Sequence, residues 1–219
     1  LMLAFGMVCG LLEAKNSGKG QVVDAAMIDG AAALMASTFG ANQVGFWSDE
    51  RGTNLLDSGS HFYEVYETAD SKYISLGAIE PQFYNALLEK LGDDAKYFEN
   101  QFDAGNWPAM KDKMAEIFKR KTRDEWDEIF ADANACYAPV LSMAEVRHHP
   151  HHQARGTFLD DGELWQPAPA PRFSRTPGQV TRHAAGIGEH SEAILRDFGF
   201  SEEDIAARVA SGAVHLQSS

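Results

Sequence analysis

Asn16-Ser17-Gly18-Lys19-Gly20-Gln21-Val22-Val23-Asp24 is a break followed by a short apolar run, and how it is read sets the fold class. Two glycines and a serine within five residues end the element before them, and residues 21–24 predict a short strand. Upstream, residues 1–14 read as a helix apolar on most faces and therefore packed on several sides. Downstream, residues 25–39 read as one helix rich in Ala and Met, whose interior Gly30 points to close helix packing. Helix, tight turn, strand and helix in succession are the alternation of a layered α/β domain. A phosphate-loop reading of residues 16–20 fails on spacing, because Lys19 is followed by Gly20 rather than Ser or Thr. The segment is expected to be a surface turn.

The 219 residues are 44% apolar and carry a net charge of −13, enough chain for a sizeable core. So acidic a surface repels phosphate backbones and anionic lipid, which argues against nucleic acid or a membrane as partner. The opening run is shorter than the ~20 residues of a membrane span and lacks the basic start of a signal peptide. It is expected to be a helix entered partway, with residues upstream of Leu1 missing. Two cysteines far apart, Cys9 and Cys136, make no disulfide framework and are expected to be reduced and buried. No basic neighbour favours a Cys136 thiolate.

Past a polar connection at residues 45–54 the texture changes. Residues 63–68 alternate, residues 69–72 make a turn, and residues 73–77 resume as a strand, which predicts a hairpin. Glu80-Pro81 and Trp107-Pro108 each open a helix with Pro in the first turn. Thr122-x-x-Glu125 and Ser142-x-x-Glu145 are capping boxes. Gln166-Pro167-Ala168-Pro169-Ala170-Pro171 predicts extended backbone, and two helices separated by Gly199 close the chain, with Leu195, Phe198 and Phe200 as expected core anchors.

Asp57 stands out chemically. It lies in Leu55-Leu56-Asp57-Ser58-Gly59-Ser60-His61-Phe62-Tyr63, a lone acid after an apolar run. Ser58 and Gly59 keep bulk away, so a ligand can approach closely. Desolvation there can raise the carboxyl pKa and make a useful base, while Asp-Ser-Gly is also ordinary turn chemistry. Glu145 reads as a helix cap, or as a carboxylate that orients a catalytic imidazole. His148-His149-Pro150-His151-His152 lacks zinc spacing, and Pro150 is expected to break any helix, so a solvated loop that charges below neutral pH is expected rather than a metal site. Arg172 and Arg175 can clamp a phosphate or tether the linker to acidic surface.

Five segments together resemble a known family. Gly18-Lys19-Gly20-Gln21-Val22-Val23-Asp24-Ala25-Ala26-Met27 is close to a hallmark of the family III CoA-transferase fold. Asn54-Leu55-Leu56-Asp57-Ser58-Gly59-Ser60-His61-Phe62-Tyr63 resembles the Asn-Met-Leu-Asp-Gly-Gly-Ala-Pro-Phe-Tyr segment of its α-methylacyl-CoA racemase branch. Gly77-Ala78-Ile79-Glu80-Pro81-Gln82-Phe83-Tyr84, Ala135-Cys136-x-x-Pro139-Val140-Leu141 and Pro169-Ala170-Pro171-Arg172-Phe173-Ser174 match that branch as well.

The resemblance implies an α/β fold in three parts. Residues 1–61 belong to a large Rossmann-like domain with the Asp57 segment, its N-terminal part missing. Residues 62–165 form a smaller α+β domain, and residues 166–219 are a Pro-rich linker with C-terminal helices returning to the large domain. It implies inversion of 2-methylacyl-CoA thioesters by two bases through an enolate. Asp57 matches one base, Ser58 and Gly59 contact substrate, and Glu145 supports a histidine that belongs to a motif absent from this chain. The chain alone is therefore expected to be inactive. CoA is part of the substrate; no metal or other cofactor is implied, and an interlocked homodimer is. The rivals are a family III CoA-transferase and a non-catalytic dimerisation remnant. The end, Val214 to Ser219, is no peroxisomal tripeptide, which makes a bacterial cytoplasm the expected location.

Overall fold

Tyr66, Ile74 and Leu76 are buried while Val65 and Tyr73 are exposed, the period-two pattern of a sheet with one covered face. They lie on β1 (Val65–Glu67) and β2 (Tyr73–Leu76), which pair antiparallel as the expected hairpin. Its turn is held by Thr68, whose N–H donates to Lys72 O at 2.9 Å and whose hydroxyl donates to Asp70 Oδ1 at 2.6 Å. β3 (Tyr137–Val140) adds on the other side of β2, with Ile74 opposite Pro139. An edge position suits Pro139, which has no N–H to donate.

The computed structural model describes residues 1–160, 165–181 and 184–216. They form two units, 1–141 and 142–219. In the first, α1 (Met2–Ser17), α2 (Met27–Leu34) and α3 (Ala36–Gln43) precede the hairpin. α4 (Pro81–Leu91), a 3₁₀ turn at Gly92–Tyr97, α5 (Trp107–Phe118) and α6 (Arg123–Phe130) lie between β2 and β3. The buried positions Tyr84, Leu87 and Leu91 of α4 and Trp107, Met110, Met114 and Phe118 of α5 follow helical spacing. With Phe62, Phe98 and Trp126 they close one aromatic-rich core over the buried face of the sheet. The Thr122–Glu125 capping box is formed at both hydrogen bonds.

Four expectations for this unit change. Residues 21–24 form no strand: Val22 is 95% exposed, and Val23 instead lies over the glycine face of α1, where a Cβ on Gly6 would come within 2.8 Å of it. A strand needs a paired neighbour, and among the described residues this segment has none. The single helix expected over residues 25–39 is two, bent at Met35 where ψ is 4° rather than helical. Gly30 does mark close packing, with Met2 Cγ 3.3 Å from where its Cβ would sit. α1 is not packed on several sides in this chain: Phe5, Val8 and Leu11 are exposed. Cys9 on α1 is therefore exposed rather than buried, as is Cys136. Partial burial and the negative charge of Glu80 push the Cys136 thiol up, against a thiolate.

The second unit holds α7 (Met143–Val146), α8 (Pro150–Arg155), the hairpin of β4 (Phe158–Asp160) and β5 (Trp165–Pro167), α9 (Ser191–Asp197) and α10 (Glu202–Ala210). Pro150 starts a helix rather than breaking one: at the first position its missing N–H costs nothing and its φ is already helical. His149 caps α8 by accepting the His151 N–H at 3.3 Å, and His151 and His152 lie on the helix, so of the histidine run only His148, in the preceding turn, is loop. Phe198 is 80% exposed and anchors nothing here, whereas Leu195 and Phe200 are half-buried and the Arg208 guanidinium covers the Phe200 ring at 4.6 Å. Arg172 donates to Gly156 O at 2.9 Å, a tether to backbone. Residues 161–164, next to the expected boundary at 165, and Gln217 to Ser219 of the expected end signal lie outside the described residues.

Candidate active site

Asp57 sits half-buried in the loop between α3 and β1. Its Oδ1 accepts the Asn54 N–H at 2.7 Å. Its Oδ2 accepts the Gly52 N–H at 3.0 Å and the Asn54 side-chain amide at 2.7 Å. Asn54 is only 5% exposed. Its side chain also accepts the Ser48 N–H at 2.7 Å and donates to Ser48 O at 3.0 Å. The Gly59 N–H closes the turn on Asn54 O at 3.1 Å, and the Ser60 hydroxyl donates to Leu55 O at 2.9 Å. Turn and carboxylate are thus one structure: Asp57 both closes the loop and offers a fixed charge.

Desolvation, the route by which the sequence allows a raised pKa for Asp57, is present but does not set the direction, and the turn that the sequence equally allows is formed. Burial does push the carboxyl up, but hydrogen bonds from the Asn54 side chain and from the Asn54 and Gly52 amides outweigh it and hold the pKa below the ordinary value. Asp57 is ionised at neutral pH in this state.

Ser58 adopts φ 72°, the left-handed region where a side chain is strained. It is exposed, and a cavity of about 340 Å³ lined by Ser58, Tyr63, Leu76, Gly77 and Cys136 opens beside it. Gly59 is buried, and a Cβ there would meet Asn54 O at 2.3 Å. Its N–H being taken by Asn54, what Gly59 offers a ligand is the absence of a side chain. These three residues are together in the first unit. Glu145 belongs to the second, where its carboxylate accepts the Ser142 N–H at 2.9 Å and the Ser142 hydroxyl accepts the Glu145 N–H at 3.3 Å, completing the expected capping box of α7. Among the described residues no group of three or more His, Cys, Asp or Glu side chains is placed to hold a metal ion, and no helix is long and apolar enough to cross a membrane.

Sequence reasoning missed three supports of this site. Asn54 was readable as an Asx partner three residues before Asp57. Lys111 and Tyr84 were not, because they reach the loop from distant helices. Tyr84 donates to Phe98 O at 2.8 Å, which leaves its oxygen to accept the His61 Nε2–H at 2.7 Å. His61 is fully buried, and among the described residues its Nδ1 has no partner. Burial pushes its pKa from 6.5 down to about 4. The unfolded chain therefore binds a proton below pH 6.5 that the folded chain resists down to about pH 4. The stabilisation is complete above pH 6.5 and is lost as pH falls towards 4, up to about 3 kcal/mol in all. Urea unfolding of the wild type and His61→Gln from pH 7 to pH 4 checks this: the wild type should lose more stability on acidification than the variant.

The chain is 43% identical over 207 residues to alpha-methylacyl-CoA racemase of Mus musculus, covering 94% of this chain and 54% of that protein. It is 42% identical, with the same coverage, to alpha-methylacyl-CoA racemase of Homo sapiens. The chain spans about half the length of the curated relatives it matches. The crystal structure of a CaiB/BaiF family protein from Brucella suis superposes with a TM-score of 0.66 at 21% identity, over 88% of this chain and 52% of that one. The mixed helix and strand seen here are consistent with the α/β fold of these proteins. With residues 1–191 matching the model of CoA-transferase family III, the chain belongs to that family.

Proposed function

We propose that the complete protein containing this chain is an isomerase that inverts the α-carbon of 2-methylacyl-CoA thioesters. One observation carries the reading: identity above 40% to two alpha-methylacyl-CoA racemases along 94% of the chain, through the segment that holds Asp57. Asp57 serves as one of two bases. An ionised carboxylate fixed by three hydrogen bonds is already in the proton-accepting form. A thioester settling on Ser58 removes water from it, which raises its proton affinity when the α-proton must leave. The electrons pass to an enolate, and a second base on the opposite face, outside this chain, returns a proton. Gly59 gives the acyl group close approach, and the cavity beside Ser58 takes part of it. Glu145, fixed at the α7 cap, orients the histidine base.

The complete enzyme in deuterium oxide should take up one deuterium at the α-carbon of a 2-methylacyl-CoA while stereochemistry is lost, and this chain alone should do neither. Transfer of CoA to a free carboxylic acid without α-exchange would instead establish the transferase reading. Met2, Met7, Met27 and Met35 are 44–91% exposed, which supports an assembly, in our reading the interlocked homodimer, that covers α1–α3. We assign the protein to the cytoplasm of a bacterium.

A further inference from the structure

Lys111 is remote from the Asp57 loop in sequence and projects to it from α5. Its ammonium donates to the Ser58 carbonyl and pairs with Glu64 Oε2 at 2.8 Å. The side chains of Lys111 and Glu64 are 29% and 17% exposed, so water screens the pair less than an open surface pair. The acceptor matters more than the pair. Ser58 holds φ 72° without being glycine, a conformation that persists only where the surroundings enforce it. The peptide that follows joins two contacts: its carbonyl accepts from Lys111, and its N–H, that of Gly59, donates to Asn54 O. A cation on the carbonyl polarises the peptide and strengthens the N–H bond. Asn54 in turn donates to both oxygens of Asp57.

We propose that Lys111 is a positioning residue, oriented by Glu64, that acts through the Ser58–Gly59 peptide to hold the Asn54–Asp57 turn and its carboxylate in place. It touches none of the reacting atoms. No family motif in the sequence includes it, and neither the fold nor the helical stripe of α5 requires a cation there. The proposal rests on Asp57 being the base, but the readouts below need no substrate, so its failure is separable from failure of that reading.

The test is Lys111→Met in this chain, with Asp57 carboxyl titration and Gly59 amide hydrogen exchange followed by NMR. The expected result is Gly59 exchange faster by about tenfold or more and Asp57 titrating higher, towards the ordinary carboxylate range, with exchange in α5 and β1 unchanged. Lys111→Arg should restore both, because the guanidinium can reach the same carbonyl; this pair of variants keeps the comparison if the Met variant is unstable. Wild-type exchange and titration in a folded Lys111→Met variant would overturn the proposal. So would faster exchange spread across α5 and β1, which would make Lys111 a general strut. In the complete enzyme the Met variant should lower kcat with little change in KM.

Discussion

Replacing Asp57 with Asn is expected to slow α-proton exchange in the complete enzyme by about 10²- to 10⁴-fold, the usual contribution of a positioned base. The substitution is nearly isosteric, but the loop is not indifferent to it. Gly52 N–H, Asn54 N–H and the Asn54 amide all donate to the carboxylate. A neutral amide can satisfy the Asn54 N–H with its oxygen only by turning its own NH₂ towards the other two donors. Some local stability, about 1–3 kcal/mol, is therefore lost with the charge. Measuring thermal unfolding alongside exchange separates the two: a folded variant that has lost exchange places the defect in chemistry. Asp57→Glu keeps the charge but moves it by one methylene, and misplacement on that scale costs about 10²-fold. Exchange within about threefold of wild type in Asp57→Asn would remove Asp57 from the reaction, since no base contributes so little.

That expectation was half legible in the sequence. The hairpin at residues 63–77, the two capping boxes and the helical stripes of α4 and α5 are local signals, and each formed as read. What failed depended on neighbours. Residues 21–24 have strand composition, yet a strand exists only by pairing, and Val23 settles on the glycines of α1 instead. Residues 1–14 read as buried because they are apolar, but burial also needs a covering surface, and in this chain Phe5 and Leu11 lack one. Pro150 by residue type alone reads as a breaker, but its position just after a cap makes it a starter.

The Asp57 site divides in the same way. Residue type and the Ser-Gly spacing pointed to the carboxylate. The sign of its pKa shift did not follow from them, because apolar neighbours in sequence suggested desolvation while the fold supplied hydrogen-bond donors from Asn54 and Gly52. Lys111 and Tyr84 come from α5 and α4, and no local pattern announces contacts made across that distance.

Gly59→Ala is expected to be the most damaging single methyl group in the first unit. The new Cβ would lie 2.3 Å from Asn54 O, 2.6 Å from Thr53 C and 2.7 Å from Asn54 N. All three are backbone atoms, so no rotamer change relieves the clash; the turn itself must open. Opening it stretches the Gly59 N–H to Asn54 O bond and displaces the Asn54 amide that holds Asp57 Oδ1. Overpacking against main chain in a buried loop is expected to cost about 4 kcal/mol, at the upper end of single-site effects. Urea unfolding should show it as a lower midpoint at an unchanged slope, with the Asp57 carboxyl titrating upward as its donors withdraw. Ser58→Gly is the matched control one residue away. At φ 72° a glycine is unstrained, so this variant should hold or gain up to about 1 kcal/mol despite the greater freedom of its unfolded chain. A Gly59→Ala protein within about 1 kcal/mol of wild type would show that residues 52–59 do not close the turn from which Asp57 draws its position.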